Sequence, residues 1–318
     1  MYATRLHSFG PAENLRYESV PDPVAGPGEV RIAVKAVGVH FIETLFRRGI
    51  PVGPHPVPEL PATFGAEVAG VVESVGEGVD PGLTGLRVVS AGVTSGGYAS
   101  LAVAPAGSVT VLPDGLDHGV AVAMSVTGVT TLGLLEAAPV TASDVVLVMA
   151  AAGGVGTLLV RHARRVGATV VGAAGGPAKV SRVRALGANL AVDYNTPGWT
   201  EIVKKASIVF DGVGGGLGRE AFGLLEQGGR QVVYGQASGE WFRPAEEELK
   251  ERDITSYDGI GHLLGRAGGL ADLRRRALEA AAEGVLTPEV QAFPLAQAAA
   301  AHAALESRNT MGKVILVP

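Results

Sequence analysis

The chain has no cysteine among its 318 residues. That excludes disulfides and every metal centre built on thiolates, and it agrees with a reducing compartment such as the cytoplasm, the expected location. It also lacks an excess of basic residues, with a net charge of −5. A nucleic-acid binder of the basic-surface kind is therefore not expected. The one basic run, Arg274-Arg275-Arg276, reads as a solvated helix face. No apolar signal-peptide core follows Met1-Tyr2-Ala3-Thr4-Arg5. The two uncharged runs, Val88–Pro113 and Gly119–Leu135, are broken by Gly, Ser, Thr or Pro, so neither is expected to span a membrane. With 47% hydrophobic and 18% charged residues, a globular enzyme of two domains, or one large α/β unit, is the expected class.

What the sequence does contain is centred on Val145-Val146-Leu147-Val148-Met149-Ala150-Ala151-Ala152-Gly153-Gly154-Val155-Gly156. The first five residues are apolar without alternation, which suits a strand covered on both faces, and small residues then let a backbone approach closely. A helix is expected over Thr157–Val166, with Leu158, Leu159 and Val160 giving way to a basic face before Gly167. Strand, glycine turn and helix start together make an anion site, because free N–H groups and the helix dipole point into the turn. A pyrophosphate is the usual occupant. A tight turn without a ligand is the alternative.

Residues 1–115 alternate short β-like runs with Pro and Gly, at Glu29–Val39, Ala66–Val75, Arg87–Ala91, Tyr98–Val103 and Val109–Leu112. The proline-rich stretch Gly49–Pro58 is expected to form a stiff surface loop. Gly119–Leu135 reads as a small-residue helix pair. Strands are then expected at Val145–Met149, Ala168–Gly172, Leu190–Asp193, Ile208–Asp211 and Gln231–Gly235, alternating with helices at Thr157–Val166, Ala178–Leu186, Gly198–Lys205 and Leu217–Glu226. That order predicts a doubly wound parallel sheet with its ligand crevice at the carboxyl ends of the strands. Helices at Gly269–Glu283 and Leu295–Glu306 and a last strand, Lys313–Val317, close the chain. The expected division is 118–258 for the nucleotide-binding domain, with 1–117 and 259–318 forming one discontinuous domain.

A site for NAD normally has Asp or Glu about 20 residues past the glycine turn to bind the adenosine ribose. Here that place holds Ala173, Ala174, Gly175 and Gly176, with Lys179 following and Arg182 and Arg184 close behind. A missing acid and a gained cation point to the extra phosphate of NADPH. Ordinary solvated helix charges are the alternative.

These motifs resemble the quinone oxidoreductase, or zeta-crystallin-like, branch of the zinc-free medium-chain dehydrogenase/reductase superfamily. The likeness rests on Ala150-x-x-Gly153-Gly154-Val155-Gly156, Gly38-Val39-His40-Phe41-Ile42-Glu43-Thr44, Phe64-Gly65-Ala66-Glu67-Val68-Ala69-Gly70, Asp211-Gly212-Val213-Gly214, and Leu305-Glu306-Ser307-Arg308-Asn309-Thr310-Met311-Gly312-Lys313. It implies an α/β fold, with a GroES-like β-rich catalytic domain and a Rossmann domain. It also implies that Ala152, Gly153, Gly154 and Val155 hold the pyrophosphate of NADPH. Gly175, Lys179 and Tyr194 match positions around the 2′-phosphate, with Gly176 where relatives often have Ser. Thr127, Thr130, Tyr234 and Gln236 match positions along the cofactor, and Arg308 a tail residue that reaches it. Tyr194 as a strand-end core aromatic and Arg308 as a cap or salt-bridge residue remain open.

Zinc-dependent relatives place Cys at the position of His40, His at Ala66 and Cys near Ala123, so the resemblance implies no metal here. Quinone-reductase relatives commonly carry Asn in place of His40 and Tyr in place of Leu45. His40 is the candidate proton donor for reduction of a quinone or an α,β-unsaturated carbonyl. A contact to the nicotinamide ribose and a satisfied buried histidine are the other readings. His7, His55, His118, His162, His262 and His302 are expected at the surface. Phe41, Phe64, Trp241 and Phe242 are candidate walls of a substrate pocket, and core packing explains each equally well. The expected activity is NADPH-dependent reduction of a small-molecule quinone or enone. An enoyl-thioester reductase of lipid or polyketide type and a catalytically weak NADPH-binding regulatory or structural protein are the alternatives. By the same analogy the chain would form a homodimer or homotetramer through the last strands of the nucleotide domain, with Gln231–Gly235 and Ile254–Tyr257 as the candidate contacts.

Overall fold

Short β-branched runs punctuated by glycine fold into two large sheets, each in its own unit, and one small one. The computed structural model describes residues 1–52 and 55–318. Of the proline-rich stretch, Gly53 and Pro54 lie outside the described residues; Val52 and His55 exchange backbone hydrogen bonds at 3.2 and 3.1 Å. The chain forms two compact units, Met1–Val126 with Arg274–Pro318, and Thr127–Leu273. Both joints lie further along the chain than 117/118 and 258/259. They fall within the helices His118–Ala137 and Ala271–Ala282, where no change of composition marks them.

The first unit is organised on the strand Glu29–Gly38, in a seven-stranded sheet. Val30, Ile32 and Val34 alternate inward as the period of two requires, and past a register shift Ala36, Val37 and Gly38 are buried together. The strand runs antiparallel to Val68–Val75, to Leu101–Pro105 and, at its end, to Lys313–Val317. That last pairing sets Ile315 opposite Gly38, so the chain's end lies beside His40. A strand absent from the sequence reading, Val290–Pro294, pairs parallel with Lys313–Val317. A smaller sheet places Tyr2–Leu6 between Leu15–Ser19 and Ala62–Thr63.

The second unit is the doubly wound sheet. Its six strands, all parallel, lie in the order Leu190–Asp193, Thr169–Ala174, Val145–Met149, Ala206–Asp211, Leu225–Val233, Thr255–Asp258. Winding reverses between Val145–Met149 and Ala206–Asp211, so the glycine turn opens at the switch point where such sheets bind ligands. Val146, Leu147, Val148 and Met149 are all buried, as an unalternating central strand requires.

Three local expectations differ. Gly198–Lys205 holds only the short 3-10 turn Trp199–Ile202, because Gly198 is left-handed (φ 75°) and no helical cap precedes the segment. Gly119–Leu135 is not a helix pair but one continuous helix, His118–Ala137, with a π-helical stretch at Met124–Gly128. That helix is long and apolar enough to cross a membrane, but 72% of its most apolar window is buried inside the protein. Gln231–Val233 lies within a strand flanked by neighbours on both sides, so its backbone edge is already used; Thr255–Asp258 is the edge strand.

Candidate active site

The dinucleotide half of the site is built by the turn after Val145–Met149. Ala150 takes a positive φ of 50°, and the helix Gly154–Arg165 starts at once behind Gly153. Gly153 is the N-cap and brings no side-chain oxygen to the first amides, while His162, Arg164 and Arg165 in the last turn suit the opposite end of the dipole. A Cβ on Gly156 would stand 2.3 Å from the Ala150 carbonyl oxygen, so only glycine lets the helix pack this closely against the turn. Val155 and Gly154 lie half-buried on the helix's first turn and Ala152 is buried behind them. This is the arrangement a pyrophosphate needs: small residues, a helix start without a side-chain cap, and room for backbone approach.

At the end of the neighbouring strand, Gly175 lies against Tyr194. A Cβ there would meet the Tyr194 ring and Asn195 at 3.0 Å. Asp193, which the sequence reading passed over, braces this turn by accepting from the Gly176 and Asn195 amides, each at 2.9 Å. Lys179 is half-buried in the first turn of the helix Pro177–Ala185. Tyr194 and Tyr234 are near enough to interact electrostatically. Burial, then Asp211, then Tyr194 push the Tyr234 hydroxyl well above its usual range. Tyr234 Oη donates to the Met149 carbonyl at a long 3.4 Å. Gly212 leaves space for that ring, since a Cβ would come within 2.7 Å of it. Buried Asp211 ties down the next turn by accepting from Val213 N at 2.8 Å and Gly214 N at 3.0 Å. Thr127 is buried, its carbonyl accepting from Thr131 Oγ1 at 2.9 Å, whereas Thr130 and Gln236 are half-buried.

Trp241 and Phe242 line a cavity of about 510 Å³ in the same unit, together with Leu249, Tyr257 and Leu264. Phe242 also packs on Phe222, with ring centroids 5.6 Å apart.

In the other unit, His40 caps the start of the helix Phe41–Arg47, an element absent from the sequence reading. The cap is made by Glu43, whose Oε2 accepts from the His40 amide at 2.8 Å. Glu43 is itself buried, with Gly65 N donating to Oε1 at 2.9 Å and the Tyr98 hydroxyl to Oε2 at 2.9 Å. Tyr98 Oη lies 2.9 Å from His302 Nε2. Tyr98 has one proton and gives it to Glu43, so His302 Nε2–H donates to Tyr98 and Nδ1 remains as a buried acceptor without a partner. His302 is therefore no surface residue. It sits fully buried on the inner face of Ala298–Glu306, and burial, reinforced by Arg47, pushes its pKa down to about 3.

The imidazole of His40 meets a second carboxylate. His40 Nε2 is 2.8 Å from Glu67 Oε1, Lys313 Nζ is 2.5 Å from the same oxygen, and Ser125 Oγ donates to Glu67 Oε2 at 2.7 Å. Lys313 Nζ also lies 3.1 Å from His40 Nε2. The contacts to Oε1 are ion pairs rather than aligned hydrogen bonds. Burial would raise the Glu67 pKa, but Lys313 and then His40 outweigh it and hold the carboxyl at about 2. Glu67 is completely buried and Lys313 nearly so, whereas the His40 side chain keeps 26% of its surface exposed. Gly38 permits the cluster, since a Cβ there would overlap Glu67 Oε1 at 1.8 Å.

Phe41 lies under the Arg308 guanidinium at 4.3 Å, and Arg308 has a positive φ of 59°. Phe64 is buried on Tyr98 and His302, with ring centroids 6.2 and 6.1 Å apart. Of the basic run, Arg275 is exposed and pairs with Glu279. Arg274 departs from the solvated-face expectation: it is half-buried and its Nε points at the Ser125 carbonyl at 3.4 Å. Sequence reasoning missed Lys313 as a site residue because it lies 246 residues beyond Glu67; the only signal was that both fall inside the quoted motifs.

The donor set does not suit a metal. Ala66 and Ala123 offer methyl groups, the ammonium of Lys313 already lies against His40 and Glu67, and no group of three potential ligands occurs among the described residues.

Comparison with known proteins fits this geometry. The family described as "Alcohol dehydrogenase GroES-like domain" matches residues 26–114, and that described as "Zinc-binding dehydrogenase" matches residues 186–316. A 2-haloacrylate reductase of a Burkholderia species is 33% identical, covering 99% of this chain and 98% of its own. The Salmonella typhimurium quinone oxidoreductase is 32% identical over 99% of this chain and all of its own. Among solved structures, the Escherichia coli quinone oxidoreductase complexed with NADPH superposes with a TM-score of 0.88 at 28% identity, covering all of both chains. The chain thus belongs to the quinone oxidoreductase branch of the zinc-free medium-chain dehydrogenase/reductases, with a GroES-like domain and a Rossmann-type parallel sheet.

Proposed function

We propose that the protein is an NADPH-dependent reductase of quinones and activated C=C bonds. The observation that carries this is the glycine turn at the sheet's switch point in a chain that matches quinone oxidoreductases, one of them solved in complex with NADPH, along its whole length. Ala152, Gly153, Gly154 and Val155 would hold the pyrophosphate, with Gly175, Lys179 and Tyr194 at the 2′-phosphate. Thr127, Thr130, Tyr234, Gln236 and Arg308 would line the remainder. Bound NADPH supplies the hydride. The protein's part is to bind, orient and exclude water, and to provide the proton that completes the reduction.

His40 is the proposed proton donor. It is the partly exposed member of a buried polar cluster, fixed at its backbone by Glu43 and at its ring by Glu67. As the substrate oxygen gains negative charge, the imidazolium gives up one proton and solvent returns it. The substrate thus gains a hydride and a proton and leaves with two more electrons. Trp241 and Phe242, which line a cavity of the second unit, are proposed apolar walls there and Phe41 one on the first unit, whereas Phe64 is taken up by core packing on Tyr98 and His302. The 33% identity to a 2-haloacrylate reductase favours including 2-substituted acrylates beside quinones in the substrate panel.

The first unit is proposed as the catalytic domain and the second as the cofactor domain, in the cytoplasm, with pairing of two copies through the edge strand Thr255–Asp258. NADPH oxidation followed at 340 nm with quinones, 2-substituted acrylates and enoyl thioesters tests the activity. Turnover with a quinone or acrylate is expected. Binding of NADPH with no oxidation by any acceptor would overturn it.

A further inference from the structure

Two buried groups of opposite charge touch the His40 ring, and they act on its proton in opposite senses. Glu67 Oε1 at 2.8 Å from Nε2 favours the imidazolium, while Lys313 Nζ at 3.1 Å from Nε2 and 3.4 Å from Nδ1 opposes it. Neither is idle packing. A completely buried carboxylate and a nearly buried ammonium share one oxygen, with Ser125 Oγ holding the other at 2.7 Å. With His40 protonated, these three side chains carry one net positive charge; with His40 neutral, they carry none. The charged groups on the surrounding elements are Glu43, bound to the His40 amide; Arg274, within electrostatic reach of Glu67; and Arg308, stacked on Phe41.

We propose that Glu67 and Lys313 are positioning residues that set, from opposite sides, how readily His40 releases its proton to the reduced substrate. This rests on His40 as the donor named above. The proton leaves the imidazolium for the substrate anion, the ring becomes neutral, and the Glu67–Lys313 pair is left as a balanced ion pair that takes no proton itself. Lys313 keeps Glu67 ionised and keeps the carboxylate from holding the imidazolium too tightly. Without it, a buried carboxylate beside His40 makes a reluctant acid; without Glu67, a buried ammonium beside His40 discharges it before substrate arrives.

The test is the pH at which His40 titrates in Glu67→Gln and Lys313→Gln. It is read from ¹⁵N imidazole shifts in the cofactor-free protein and from the alkaline limb of kcat with a quinone. The midpoint should fall in Glu67→Gln and rise in Lys313→Gln, as the contacts of the two groups to the ring require, with Lys313→Arg returning it towards wild type. A role confined to packing moves neither midpoint, or moves both the same way, and either result overturns the proposal. Wild-type protein gives a second reading that needs no variant: the Glu67 carboxyl ¹³C signal should step at the His40 midpoint. Absence of that step overturns the proposal as well. The NMR arms do not depend on turnover. Failure of NADPH oxidation with opposite midpoint shifts intact therefore counts against the functional reading, and turnover with unmoved midpoints counts against this one.

Discussion

Lowering the pH from 7 to 5 should weaken the fold, above all through His302, with His118 and His162, whose pKa values burial also pushes down, acting in the same direction. Unfolded, His302 takes up a proton near the ordinary histidine value of 6.5; folded, it stays neutral until about pH 3 because burial and Arg47 oppose the charge. The unfolded chain therefore binds the extra proton throughout that window. The sign follows: this contribution to stability is fully present above the unfolded value and is lost as pH falls. A single group of this kind changes the unfolding free energy by up to about 1.4 kcal/mol per pH unit, so the loss between pH 7 and 5 comes to about 2 kcal/mol. Glu67 adds little there, because its carboxyl, held at about 2, loses its stabilising effect only below its ordinary value of 4.5. Urea unfolding followed by circular dichroism at pH 7, 6 and 5 measures the slope. In His302→Gln, which retains a donor for Tyr98, the slope should flatten by that amount. Parallel slopes in variant and wild type would refute the assignment of a neutral, proton-excluding His302.

Lys179→Ala should raise KM for NADPH about tenfold or more and leave KM for NADH nearly unchanged, since only the 2′-phosphate distinguishes them. Steady-state kinetics with both cofactors checks this, and equal effects would remove the phosphate role. His40→Ala should lower kcat about 100-fold while NADPH affinity holds; a collapse of affinity would instead make His40 a ribose contact. In Gly156→Val the added Cβ starts 2.3 Å from the Ala150 carbonyl, so fluorescence titration should show NADPH binding lost. Elemental analysis of the purified protein should find no stoichiometric zinc, and one zinc per chain would contradict the reading of Ala66 and Lys313.

The parallel sheet was legible because its signals are local. Five unalternating apolar residues, a diglycine turn and a following amphipathic helix identify one βα unit wherever the rest of the chain goes. Helix starts and ends blurred where capping is indirect: Phe41–Arg47 has no Ser, Thr, Asp or Asn at its cap, and the amide of His40 is satisfied instead by Glu43 three residues on. The proton-handling cluster was hidden for a different reason. Glu67, Ser125 and Lys313 meet only because the pairing of Lys313–Val317 with Glu29–Gly38 brings the chain's end beside His40. No spacing rule reports a contact made by sheet register. His302 was misread because an isolated histidine in an alanine-rich helix carries no mark of which face it occupies. Tyr98, 204 residues away, shows it to be the inner one.

The account stands on NADPH lying against the diglycine turn with its 2′-phosphate near Lys179. Calorimetric titration of the wild-type protein with NADPH and NADH tests that directly. NADPH should bind at one site per chain at least about tenfold more tightly, the worth of one charge-assisted phosphate contact. Equal affinities for the two nucleotides, or binding of neither, would contradict it.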